Sequence, residues 1–214
     1  MTDARPRTAA ADPAPAVTER GRRRREAILD AAADRFLARG FHATSIDEIG
    51  AAAGISGPGV YRHVASKDAL LMAVLDRMWL RGFKPAIRRA AELPPREALT
   101  ALIDAHVTLV FEERAALLLL GRELRHLPAD YRERADRNVH RYIDAWAAPL
   151  RQLRDDVDRA HARSVAIALH GAIDAAARTP DVAPVARRAP LLRDLAEGIV
   201  DRFVAQGSRG RTDA

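Results

Sequence analysis

The sequence predicts an all-α protein: an N-terminal three-helix unit containing a helix-turn-helix, followed by a C-terminal helical body, about nine helices in all. Three observations carry that expectation. Alanine supplies 45 of the 214 residues while aromatics make up only 5%, a composition that favours helix over strand. Apolar residues recur at helical spacing along much of the chain, and no strand-length run alternates apolar with polar. Proline-containing breaks at Pro94–Pro95, Leu127–Pro128 and the stretch from Thr179 to Pro190 separate the periodic segments.

Each element follows from local signals. Residues 1–18, rich in Ala, Pro and Thr and without apolar periodicity, read as a disordered arm. Ile28, Ala32 and Phe36 recur every four residues, with Leu29 and Leu37 beside them, so a helix spans about 20–39 and Gly40 closes it. Ser45-Ile-Asp-Glu48 is a capping box for a short second helix that Gly54 stops. Ser56 caps a third helix reaching about His63. Ser66 caps a fourth, near 67–82, with Leu70, Leu71, Val74, Leu75 and Met78 as its apolar stripe. Beyond Gly82 helices are expected at about 95–112, 114–126, 129–153, 157–178 and 190–206, and residues 207–214 form a tail. The division is an arm at 1–18, a small unit at 19–66, a body at 67–206 and the tail.

Composition excludes several functions. With no cysteine, disulfides, thiolate zinc sites, iron–sulfur clusters and cysteine nucleophiles are absent. There is no HExxH, no Ser/His/Asp arrangement and no glycine-rich phosphate loop, so neither an enzyme nor a bound cofactor or metal is expected. No apolar run nears the ~20 residues that cross a bilayer, and no signal-peptide core is present, so the expectation is a soluble, cytoplasmic chain without a membrane partner. Net charge is +6 and the pI about 10.5. Residues 1–25 hold seven arginines against Asp3, Asp12 and Glu19, which is +4 of that total. Such an arm suits a polyanion: DNA, RNA or a membrane surface. A solvated tail in an arginine-biased sequence is the alternative.

Residues 20–68 carry the most specific signal. Two short helices joined by a glycine-containing turn, the second with a polar start, form a helix-turn-helix candidate. The ordered series Gly40-Phe41, Thr44-Ser45-Ile46, Ile49-Gly50, Ala53-Gly54-Ile55-Ser56, Val60-Tyr61-Arg62-His63 and Ser66-Lys67-Asp68 resembles the DNA-binding domain of the TetR family of bacterial repressors. The resemblance implies a double-stranded DNA operator as partner. It places Tyr61, His63 and Lys67 on phosphates, with the alternatives that Tyr61 packs on the first helix and His63 is a plain surface residue. The helix caps at Thr44, Ser45, Ser56 and Ser66 expose N–H groups suited to phosphate. Gly57, Pro58 and Gly59 offer backbone to the bases, and Arg62 is the candidate for a bidentate guanine contact. Arg22, Arg23, Arg24 and Arg25 either enter a minor groove or neutralise phosphates. Phe41, Ile46, Ile49, Ile55 and Val60 read as core. Val64 departs from the family, where an aromatic residue is usual.

For the body, the resemblance implies dimerisation and a small-molecule inducer, apolar or bearing an anionic group. Ala160, Ser164, Ala168, Gly171 and Ala175 share one helix face, and Leu192, Leu195, Ile199 and Phe203 stripe the last helix. Together they suggest a four-helix homodimer bundle, unless both faces pack within one subunit. Trp79, Phe83, Leu102, His106, Phe111, Trp146 and His170 are candidate cavity-lining residues, with plain core as the alternative. Arg122, in the charged run Arg122–His126, either joins a surface ion-pair cluster or holds an anionic ligand group such as a carboxylate or a coenzyme A phosphate. The expected function is a repressor released from a palindromic operator by its inducer. An activator, a ligand-independent DNA-binding protein, and a membrane-surface or RNA-binding helical module remain as alternatives.

Overall fold

The computed structural model describes residues 18–179 and 183–209, and every regular element among them is helical. The expected arm therefore lies outside the described residues except for Thr18, and the expected tail except for residues 207–209. Thr18 begins α1 (Glu19–Arg39): its hydroxyl oxygen accepts the Gly21 N–H, and Gly40, at φ 87°, ends the helix in a conformation that only glycine takes easily. The stripe Ile28, Leu29, Ala32 and Phe36 faces inward.

The capping box is present as read. In α2 (Ile46–Ala52) Ser45 Oγ accepts the Glu48 N–H while the Glu48 carboxylate accepts the Ser45 N–H. The third helix is shorter than expected: α3 covers Gly57–Val60, and residues 61–63 form turns. Two glycines and a proline in four positions leave little helical propensity to carry it further. Val64 is buried with Phe41, Ile49 and Val60, so the smaller side chain still seals the unit against α4 (Lys67–Met78).

Gly82 does not stop the fourth helix. The backbone passes from α4 through a π-helical turn at Trp79–Phe83 directly into α5 (Lys84–Ala90), a segment the sequence pattern did not reveal. A Cβ on Gly82 would lie 2.1 Å from Leu109 Cδ1, so this glycine permits close packing on α6 (Pro95–Glu112). Pro85 is tolerated because it falls in the first turn of α5.

The remaining helices are α7 (Arg114–Glu123), closed by a 3₁₀ turn at Leu124–His126, then α8 (Ala129–Leu153), α9 (Arg159–Arg178) and α10 (Val185–Arg209). The last starts earlier and ends later than expected, and Pro190 sits within it instead of at its start. Helix α6 runs through the centre of the body, against α5, α8, α9 and α10. Leu99, Leu102, Ile103, Leu119, Trp146, Leu150 and Leu169 are fully buried there. At ~1.5–3 kcal/mol for each large apolar side chain buried, this layer is the main source of the body's stability.

Candidate functional site

The helix-turn-helix is held by close backbone contacts. The Ile55 N–H donates to the Gly50 carbonyl at 2.9 Å, and Gly54 turns the chain at φ 70°. A Cβ on Gly50 would meet the Ile55 carbonyl oxygen at 2.9 Å, and one on Gly57 would overlap the Asp47 side chain. Gly57 is accordingly buried, and its lack of a side chain serves the α2–α3 contact. The expected offering of backbone to bases thus falls on a buried residue.

Other expected contacts are also turned inward. Thr44 is 1% exposed, and its hydroxyl donates to the Gly40 carbonyl at 2.9 Å, so it ties the turn and does not face solvent. The Ser45 hydroxyl is engaged with Glu48. Lys67 is half-buried: Nζ donates to the carbonyls of His42 (3.3 Å) and Thr44 (3.1 Å) and lies 4.7 Å from the Phe41 ring centroid. Its ammonium closes the 42–44 turn.

The arginine run divides in two. Arg22 and Arg23 are exposed and pair with Glu19. Arg24 donates to the Ala53 carbonyl at 3.2 Å and Arg25 to the His63 carbonyl at 2.9 Å, stapling α1 to the ends of α2 and α3. What remains outward is compact. Ser56, Pro58 and Arg62 are exposed, Tyr61 is 54% exposed, and Gly59 and His63 are half-buried. The Ser56 hydroxyl oxygen accepts the Gly59 N–H, and neither Tyr61 nor Arg62 has a side-chain partner among the described residues. A free guanidinium and a phenol thus stand on a head whose backbone is pinned from three sides.

Adjacent α4 residues link this head to the body. Arg77, largely buried, reaches Asp30 (2.6 Å) and Glu26 (3.4 Å) of α1 and Glu113 (3.2 Å) at the α6–α7 joint. Burial by itself would lower the Arg77 pKa, but the Asp30 hydrogen bond and the charges of Glu113, Asp30 and Glu26 outweigh it and raise it. Asp76 accepts from the Tyr131 hydroxyl and from Arg134, both on α8. Nothing in the local sequence pattern signalled these long-range pairs.

Inside the body, four of the expected cavity residues meet, and the sequence reading missed two more. Phe83, His106, Trp146 and His170 pack with Tyr142: ring centroids are 4.3 Å apart for Phe83–Tyr142 and 4.7 Å for His106–His170. Asp174 Oδ1 lies 3.0 Å from His106 Nε2. The cluster is buried, with Trp146 at 0% and His170 at 8% exposure. Burial, and then the neighbouring His106, push the His170 pKa well below its usual 6.5, and His170 Nε2 is buried without a hydrogen-bond partner. Burial likewise raises the Tyr142 pKa. Leu102 is core, Trp79 packs at a tilt against Phe83, and Phe111 lies apart under the Arg188 guanidinium. Arg122 is on the surface, where it shares a groove with Asp174 but with none of these rings.

The expected dimer faces are mostly open. Ala160, Ser164, Ala168, Gly171 and Ala175 are all exposed on α9, with Ile167 among them. On α10 Leu195 and Ile199 are exposed, joined by Leu191, which the sequence reading omitted, while Leu192 is half-buried. Phe203 is corrected: it is buried within the subunit, under the Arg154 guanidinium, 5.0 Å from its ring centroid.

A pinned helix-turn-helix head on an all-helical body defines the class of one-chain regulators that couple a DNA-reading unit to a second helical domain. Comparison with known proteins narrows it. Residues 28–74 match the family described as bacterial regulatory proteins, tetR family, and residues 92–178 match the tetracyclin repressor-like C-terminal domain. A solved TetR-like transcriptional regulator from Rhodococcus sp. RHA1 is 32% identical with a TM-score of 0.66, covering 85% of this chain and 96% of its own. The chain belongs to the TetR family of transcriptional regulators. It is 39% identical over 85 residues to the transcriptional activator FasR of Mycolicibacterium smegmatis, covering 38% of each. It is 32% identical over 111 residues to the repressor KstR2 of Rhodococcus jostii, covering 51% of this chain and 54% of that one. The matches thus span about half or less of these curated relatives. No described helix is long and apolar enough to cross a membrane.

Proposed function

We propose that this protein is a DNA-binding transcriptional regulator, acting as a homodimer on a two-fold-symmetric operator and answering to a small molecule. Residues 19–66 read DNA, residues 67–206 dimerise and sense the effector, and the site of action is the cytoplasm. The observation that carries the reading is the outward face of α3 and the turn that follows it: Tyr61 and the unpaired Arg62 beside Ser56 and Pro58, on a head pinned by Arg24 and Arg25. A guanidinium so placed matches the two acceptors of a guanine edge, and the phenol matches a phosphate. The exposed small-residue face of α9 and the apolar face of α10 support self-association, which would set two recognition helices ~34–36 Å apart.

Selection of bound duplexes from a random pool by the full chain tests this. The expected product is an inverted repeat with half-sites one helical turn apart. A pool that stays random after repeated rounds at moderate salt overturns the reading. Repression is the favoured direction, as in the similar KstR2, while the similarity to FasR favours activation. A reporter carrying the selected site separates them, with falling output marking a repressor.

A further inference from the structure

Open space also lies where α1 meets the body. A groove of about 690 Å³ runs between the end of α1 and the faces of α7 and α9. Its apolar part is Leu37 of α1 with Leu117, Leu118 and Leu120 of α7, all half-buried. Its charged part is cationic. Arg114, Arg122 and Arg178 line it against one carboxylate, Asp174.

Arg114 is fixed by its Nε bond to the Ala177 carbonyl at 2.7 Å. Arg122 and Arg178 have no partner among the described residues. Elsewhere on this chain arginines such as Arg96, Arg134 and Arg163 sit on carboxylates. Two free guanidiniums beside a leucine-lined trough form a surface complementary to an amphiphilic anion.

We infer that this groove binds an aliphatic carboxylate, its chain along the leucines and its head between Arg122 and Arg178. A monoanionic carboxylate fits better than a dianionic phosphate because Asp174 faces the same space and repels the second charge. The ligand touches α1 of the reading head and α7 and α9 of the body together, so it favours one relative orientation of the two. That difference in affinity is what an effector needs to shift an equilibrium. The effector role rests on the regulator reading above; the binding itself does not.

Titration calorimetry of the full chain with hexanoate, decanoate, decyl phosphate and decanol tests it without DNA. Decanoate is expected to bind at least tenfold tighter than hexanoate, because each methylene buried strengthens binding up to about fourfold. It is also expected to bind tighter than decyl phosphate, and about tenfold tighter than decanol. The double variant Arg122→Ala/Arg178→Ala, on exposed positions, should lose about tenfold for decanoate and nothing for decanol. Equal affinity for decanol and decanoate, tighter binding of decyl phosphate, or decanoate binding unchanged in the double variant overturns the inference. If decanoate binds yet leaves affinity for the selected operator unchanged, the effector role falls. Failure to select any operator leaves the calorimetric result standing by itself, so the two readings fail separately.

Discussion

Buried against His106 and Tyr142, with no partner for its Nε2, the His170 ring has to stay neutral. Its pKa is well below 6.5 in the folded chain and near 6.5 once unfolded. The unfolded state therefore takes up the extra proton first. This group's contribution is complete above about pH 6.5 and is lost as pH falls toward the folded value, by at most ~1.4 kcal/mol per pH unit. Melting temperature should drop from pH 7 to pH 5, less steeply in His170→Phe. Identical slopes would show that the ring accepts its proton without strain. On the DNA side, Arg62→Ala should weaken operator binding about tenfold or more and loosen the base preference at one position of each half-site, measured by gel shift on single-base variants. Thr44 and Lys67 have structural partners that their local pattern does not announce. Their types and spacing resemble DNA contacts, but burial and the carbonyls of Gly40, His42 and Thr44 claim their polar atoms. Which partner a polar atom finds is not local information.

Helix starts were legible at Ser45, Ser56 and Ser66, each of which accepts an N–H three residues ahead, whereas Thr18 and Asp158 cap α1 and α9 in the same way without having been foreseen. Glycines were legible only as breaks, and here they divide by function. Gly40 and Gly54 take positive φ, while Gly50, Gly57 and Gly82 let another element approach. That second role depends on a neighbour distant in space, which is why α5 went unseen behind Gly82. Gly50→Ala should cost ~1–3 kcal/mol because its Cβ meets backbone that cannot move aside. Gly57→Ala should cost less, since the Asp47 side chain can rotate away. Thermal unfolding of the two variants ranks them, and the reverse order would contradict the geometry. In α4, Arg77→Ala leaves Glu113, Asp30 and Glu26 without their shared cation. A loss of about 3 kcal/mol in denaturant unfolding is expected, against under 1 kcal/mol for the exposed Arg137→Ala.

At the scale of the molecule, the apolar faces of α9 and α10 lie on the outside of one subunit, with Leu195 56% exposed beside Leu191 and Ile199. In the proposed homodimer, Leu195→Glu/Ile199→Glu should leave the subunit folded and shift it to monomer by sedimentation. Operator affinity should then fall by about 10²-fold, because two linked half-site contacts become one. A double variant that still sediments as a dimer would place the interface elsewhere.

Periodicity, caps and breaks lie within a few residues of one another along the chain, so the sequence by itself determined the all-helical architecture, nearly every helix position and the helix-turn-helix. The tertiary structure alone decided which polar atoms are free. Arg62 stays outward while Arg24 and Arg25 become staples, Phe203 turns inward while Leu191 turns out, and a groove opens between the end of α1 and the faces of α7 and α9. Those outcomes are set by which surfaces meet after the helices pack, and a contact between residues a hundred positions apart leaves no mark in either local pattern.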